Sequence, residues 1–196
     1  MFQVRFHGRG GQGVVTAAEL LASAAFREDR YAQAFPSFGS ERMGAPVLSF
    51  CRIDDKPIRT REPVTEPDAL LIQDPTLLHQ AGIVDGLRPD GYVLVNSSRG
   101  VEGLGLAELE EQRHDGRLLA VPATNLAVAN LGRPLPGAPM LGGFAALTKT
   151  ISLDALLAAI TDRFGDRPRV AAGNSAAARA AFDFVTDELK AVTHHA

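Results

Sequence analysis

The sequence predicts an α/β fold: a mixed, mainly parallel sheet with a Rossmann-like start, a β-hairpin insertion and a helical C-terminal third. Three observations carry this. Residues 2–7 alternate apolar Phe2, Val4 and Phe6 with polar Gln3, Arg5 and His7, the period of a half-buried strand, and a helix-period run follows over 14–26. Continuous apolar runs at 69–72 and 92–95 have the character of strands buried on both faces of a parallel sheet. Beyond residue 139 the pattern is helical throughout.

Between the first strand and the first helix lies Gly8-Arg9-Gly10-Gly11-Gln12-Gly13, which satisfies G-x-G-x-x-G. Small residues here let backbone N–H groups approach a phosphate, the helix N-terminus adds partial positive charge, and Arg9 adds a full one. The same glycines also suit a tight βα turn that needs positive φ and close packing and binds nothing. Residues 31–35 read as a second strand ended by Pro36. A nicotinamide-binding Rossmann domain carries an acid at the end of that strand for the ribose hydroxyls. Here Phe35-Pro36-Ser37-Phe38-Gly39 stands instead, and the nearest acid is Glu41.

Residues 37–46 form the second unusual segment, too glycine-rich for a stable helix and too polar for a core strand. It places Glu41 and Arg42 before Gly44 and Pro46, the composition of a binding loop or of a surface loop with solvated charges. Residues 47–53 read as a strand, Asp54-Asp55 as a turn and 56–61 as its hairpin partner. The basic Arg59-Thr60-Arg61 reads as a solvated strand end.

Asp74-Pro75 ends the 69–72 strand, and 76–81 reads as a short helix. The 92–95 strand closes on Asn96-Ser97-Ser98. At the carboxyl end of a parallel strand these polar residues are either ligand contacts or turn formers. A short helix is expected around 107–112, a strand at 118–121, and a helix at 123–131 stopping at Gly132. Residues 135–139 (Leu-Pro-Gly-Ala-Pro) read as a rigid linker. Residues 140–150 read as a helix packed closely at Gly142 and Gly143. Ser152 is an N-cap for a helix with Leu153, Leu156, Leu157 and Ile160 on one face. A last Ala-rich helix spans 174–191, and His194-His195 reads as a frayed end rather than a metal site.

Composition narrows the class. With 196 residues, 45% hydrophobic and 22% charged, the chain suits one globular domain over 1–196. A net charge of −3 argues against a nucleic-acid partner. The single cysteine, Cys51, cannot by itself ligate a metal or an iron–sulfur cluster and reads as a buried, inert thiol. No apolar run approaches a membrane span and no leader is apparent, so a soluble cytoplasmic protein is expected. The five histidines are scattered with no acid at dyad spacing, Ser97 and Ser98 lack a nucleophile elbow, and the glycine loop lacks the Lys-Ser/Thr ending of a P-loop. A phosphate-cradling loop without a catalytic set points to a binding domain of a larger machine.

Three segments, residues 7–22, 31–47 and 139–146, also resemble the gamma subunit of the 2-oxoacid:acceptor (pyruvate:ferredoxin-type) oxidoreductases, in register over nearly the full length. The resemblance implies a multi-subunit enzyme that oxidatively decarboxylates a 2-oxoacid to an acyl-CoA. Thiamine diphosphate with Mg and 4Fe-4S clusters would belong to alpha, beta and delta-type iron–sulfur subunits. Electrons would pass to ferredoxin, or to NAD through a flavin subunit. This chain would contribute coenzyme A binding and subunit packing, with no catalytic and no metal-ligating residue and no activity alone. By position, Gly8, Arg9, Gly10, Gly11, Gln12 and Gly13 would face the coenzyme A phosphates, with Glu41, Arg42 and Gly44 near the same ligand or a subunit contact. A free-standing dinucleotide-binding oxidoreductase and a purely structural scaffold are the competing readings.

Overall fold

The computed structural model describes the chain except residues 38–42, 107–108, 110, 112–115 and 196, and the side chains of residues 193–195. Six strands, β1 (Phe2–Arg9), β2 (Tyr31–Pro36), β3 (Pro46–Asp54), β4 (Ala69–Ile72), β5 (Tyr92–Asn96) and β6 (Leu118–Val121), form one sheet in the order β2-β3-β1-β4-β5-β6. The pairs β1–β4, β4–β5 and β5–β6 are parallel, whereas β3 runs antiparallel to both β1 and β2.

Five helices are seen among the described residues, in chain order: α1 (Val14–Phe26), α2 (Ala123–Leu131), α3 (Gly137–Thr148), α4 (Leu153–Phe164) and α5 (Pro168–His195). Alternation along the strands sends Val4, Phe6, Cys51, Ile53, Leu71 and Leu94 to one side. There they make one core with the apolar faces of all five helices. The opposite side sends Leu70, Ile72, Val93 and Val95 against Leu77 and Ile83, which come from 3₁₀ turns and loops. Among the described residues, these five helices thus cover one face, and 3₁₀ turns and loops carry Leu77 and Ile83 to the other.

Most expected elements stand where the sequence puts them; α1, β4, β6 and α2 match residue for residue. The hairpin insertion is corrected in detail. Residues 56–61 form no strand, and the antiparallel neighbours of β3 are β1 and β2. With both of its edges occupied, β3 has no room for a third partner, and Pro57 lacks a ladder donor. The expected linker is also shorter, because Gly137, Ala138 and Pro139 already belong to α3. Proline is tolerated in a first turn, where the missing N–H has no intrahelical acceptor.

The last helix begins at Pro168, not Asn174, and its backbone continues through His195. Gly173 interrupts the sequence pattern for a packing reason: a Cβ there would stand 2.8 Å from the Asn130 carbonyl of α2. Gly142 likewise faces the Ala178 backbone of α5, bearing out the close approach expected there. Ser152 caps α4, its Oγ accepting from Ala155 N at 3.1 Å. Cys51 is fully buried in β3, and burial pushes its thiol pKa well up, so it stays protonated. The helix expected around 107–112 falls largely outside the described residues.

Candidate functional site: the glycine loop and the first turns of α1 and α3

β1 runs out at Arg9, and the chain must then turn sharply into α1. Gly11 (φ 93°) and Gly13 (φ 74°) take the left-handed conformation that makes this possible. Gly8 is required by space: a Cβ there would lie 2.5 Å from Val14 Cγ2 and 3.3 Å from Gln73 Cβ. Gly10 N donates to the Ala45 carbonyl at 2.9 Å, and Gly44 N donates to the Gly10 carbonyl at 3.1 Å. Gly44 and Ala45, at the end of the second segment singled out in the sequence, are therefore laid against the glycine loop. Glu41 and Arg42 lie outside the described residues.

One carboxylate organises the junction. Asp74, at the carboxyl end of β4, accepts from Arg9 Nε at 3.1 Å, from Gln12 Nε2 at 2.9 Å and from both the backbone N–H and hydroxyl of Thr76. Burial alone would raise its pKa, but the bonds from Thr76 and Gln12 and the charge of Arg9 outweigh that and hold it below the ordinary carboxylate value. Arg9 also donates Nη1 to the Gly44 carbonyl at 3.1 Å and Nη2 to Thr76 Oγ1 at 2.8 Å. Three of its five N–H groups are thus used within the chain. Gln12 folds back, its Oε1 accepting from Arg9 N at 2.8 Å.

Sequence reasoning missed Asp74 as anything but a strand terminator. Its signal was present in Asp74-Pro75-Thr76, an Asx cap on a turn at the carboxyl end of a buried strand.

The first turn of α1 is left without a capping side chain, because its N-cap is Gly13. Val14, Val15 and Thr16 line a cavity of about 430 Å³ with Arg9, Gly10 and Met43. The first turn of α3 comes close by: a Cβ on Gly137 would stand 3.4 Å from Ala17 Cβ and 3.6 Å from the Gly13 carbonyl. Two helix N-termini with their partial positive charge therefore meet at this point. Beneath them Gln73 is fully buried, and neither its amide oxygen nor its amide nitrogen has a hydrogen-bond partner among the described residues.

The neighbouring polar groups are fixed structurally. Arg5 Nε donates to His7 Nε2 at 3.0 Å, and Arg5 Nη2 donates to the Ile83 and Asp85 carbonyls. Burial first, then the charge of Arg5, pulls the His7 pKa down to about 3, so its imidazole is neutral around pH 7. Asn96 caps α2 from a distance: Oδ1 accepts from Thr124 N at 3.0 Å, while Nδ2 donates to Thr124 Oγ1 and the Gln73 carbonyl. Asn96, Ser97 and Ser98 do border a cavity of about 350 Å³ at the carboxyl edge. Among the described residues no group of three or more His, Cys, Asp or Glu stands together to hold a metal ion. No helix among them is long and apolar enough to cross a membrane.

The site is that of a glycine-loop α/β protein whose functional edge presents helix N-termini and backbone amides. Comparison with known proteins gives that class its family. The family model for pyruvate ferredoxin/flavodoxin oxidoreductase matches residues 3–184. The Pyrococcus abyssi pyruvate/ketoisovalerate oxidoreductases common subunit gamma is 44% identical over 183 residues, covering 93% of this chain and 96% of the relative. The crystal structure of the pyruvate oxidoreductase subunit PORC from Thermotoga maritima superposes with a TM-score of 0.78 at 35% identity, covering 93% and 95% of the two chains. A 2-oxoglutarate:ferredoxin oxidoreductase from Magnetococcus marinus, solved with 2-oxoglutarate, coenzyme A and succinyl-CoA, shares the fold at a TM-score of 0.67 and 17% identity, over 31% of that longer chain. The chain belongs to the pyruvate ferredoxin/flavodoxin oxidoreductase family. Within it, this is a gamma-type subunit of a multi-subunit 2-oxoacid oxidoreductase.

Proposed function

We propose that this chain is the coenzyme A-binding and packing subunit of a cytoplasmic complex that oxidatively decarboxylates a 2-oxoacid to its acyl-CoA. We read its 196 residues as one domain. In this reading alpha and beta subunits hold thiamine diphosphate with Mg, which supplies the decarboxylation chemistry. A delta-type subunit holds the 4Fe-4S clusters that carry electrons to ferredoxin, or to NAD through a flavin subunit. The residues of this chain agree with that division. Its lone cysteine is buried in β3, so it offers no set of thiolates for a cluster. His7 is held neutral, and Arg9 and Asp74 are engaged with each other, so the loop is shaped to bind rather than to move protons. The isolated chain is then inactive.

The observation that carries the coenzyme A reading is the uncapped first turn of α1 behind Gly11 and Gly13, opening on the cavity of about 430 Å³. Gly8, Gly10 and Gln12 shape the loop and Arg9 ties it to Gly44, and in this reading Glu41 and Arg42 serve the same ligand or a subunit contact. A free-standing NAD enzyme is less well supported. The strand beside β1 on that side is the antiparallel β3, and β2 is an edge strand without a ribose-binding acid.

The test is Arg9→Ala in the purified, assembled complex. The expected result is a rise in KM for coenzyme A matching a loss of about 1–3 kcal/mol, the scale of a hydrogen bond to a charged group. An intact complex with unchanged KM would favour the scaffold reading, in which Arg9 serves only Asp74, Thr76 and Gly44.

A further inference from the structure

A second cavity, of about 190 Å³, opens on the other side of the first turn of α1 and shares Gly13 and Thr16 with the first. Its walls come from the α2–α3 connection and from the α4–α5 junction, and they carry Arg133 and Arg167. Both arginines are exposed, and neither guanidinium has a hydrogen bond or an ion-pair partner among the described residues. No carboxylate among the described residues lines the cavity. Gly137 and Ala138, in the first turn of α3, add N–H groups that precede the first intrahelical bond, Met140 N to the Pro136 carbonyl. The floor is apolar, with Leu20, Leu135 and the Phe164 ring, over which Arg167 lies at 5.6 Å.

Two guanidinium forks without a carboxylate partner and a helix N-terminus around a small cavity match a doubly charged, many-acceptor anion better than a carboxylate, which one fork would satisfy. The apolar side chains of Leu20 and Leu135 suit the body that carries the anion. The shared Gly13–Thr16 wall lets a single ligand present one phosphate group at each side of α1.

We propose that Arg133 and Arg167 form a phosphate-monoester subsite, and that the group it takes is the 3′-phosphate of coenzyme A. The identity of that ligand rests on the coenzyme A reading above. The diphosphate then belongs to the α1 side and the monoester to the arginine side.

Dephospho-coenzyme A, which keeps the diphosphate and lacks the 3′-phosphate, separates the two sides. Equilibrium dialysis of both ligands against the assembled complex, without turnover, is the measurement. Arg133→Gln and Arg167→Gln should each weaken coenzyme A by about tenfold and dephospho-coenzyme A by less than about twofold, since only the former carries the phosphate monoester that these arginines would meet. Equal weakening of both ligands, weakening of neither, or a wild-type complex that binds the two equally would overturn the subsite. Arg9→Ala run alongside separates the readings. If it leaves both ligands unaffected while the arginine pattern holds, the glycine-loop assignment fails and the monoester subsite stands.

Discussion

The two flanks of the first turn of α1 handle arginine in opposite ways. On the glycine-loop flank Arg9 is tied to Asp74, Thr76 and Gly44, and its side chain is only 32% exposed. On the other flank Arg133 and Arg167 stand exposed, with no acid in the cavity they border. The difference teaches that the charge inside a recognisable glycine pattern goes largely into shaping the loop, with two of the five Arg9 N–H groups left over. Arg133 and Arg167, which make no hydrogen bond or ion pair among the described residues, lie outside the pattern, on segments distant in sequence. Stability and ligand affinity should therefore separate between the flanks.

The largest effect is expected at the carboxylate that holds the first flank. Asp74→Ala removes four accepted hydrogen bonds and leaves Arg9 unmatched. Discounting the ion pair for the partial exposure of Arg9, the loss in urea denaturation should be about 2–3 kcal/mol. A loss under about 0.5 kcal/mol, the scale of an ordinary surface change, would mean that the loop does not depend on this network.

Acid should strike the same flank next. The folded pKa of His7 is depressed to about 3 by burial and then by Arg5. The unfolded chain therefore takes up the proton first, and stability falls as pH drops below the unfolded value of about 6.5. At about 1.4 kcal/mol per pH unit, lowering pH from 6.5 to 5 should cost about 2 kcal/mol from this residue. His7→Gln should flatten that part of the urea-denaturation profile; an unchanged slope would assign the acid sensitivity elsewhere.

The smallest effect sharpens the contrast. Arg133→Gln and Arg167→Gln should leave the unfolding free energy in urea within about 0.5 kcal/mol of the parent, because neither guanidinium makes a hydrogen bond or ion pair among the described residues. Thermal and urea scans of the same complexes used for ligand binding would show it. A loss of 2 kcal/mol or more, on the order of a buried network, would break the comparison by showing that these arginines are structural too.

Much of the fold was legible because the cues were local. The period-2 alternation of Phe2, Val4 and Phe6, the Ala/Leu face of α1 and the Ser152 cap each depend on residues within one or two turns. What misled was pairing. Val47–Ile53 was readable as a strand, but its neighbours are β1 and β2 rather than the adjacent residues 56–61, a choice made by long-range burial. The start of α5 at Pro168 was likewise hidden behind Gly173, a glycine set by contact with α2.

The same division holds at the site. By itself the sequence determined that a strand, a glycine loop and a helix follow one another, because positive φ and the absence of a Cβ are properties of the residues at Gly11 and Gly13. It also presented residues 31–47 as a companion segment. Only the tertiary structure brought Asp74 under Arg9, Gly137 beside Gly13, and Arg133 and Arg167 to the rim of one cavity. Those residues are separated by tens of positions, and their juxtaposition follows from sheet order and helix packing, which no local pattern encodes.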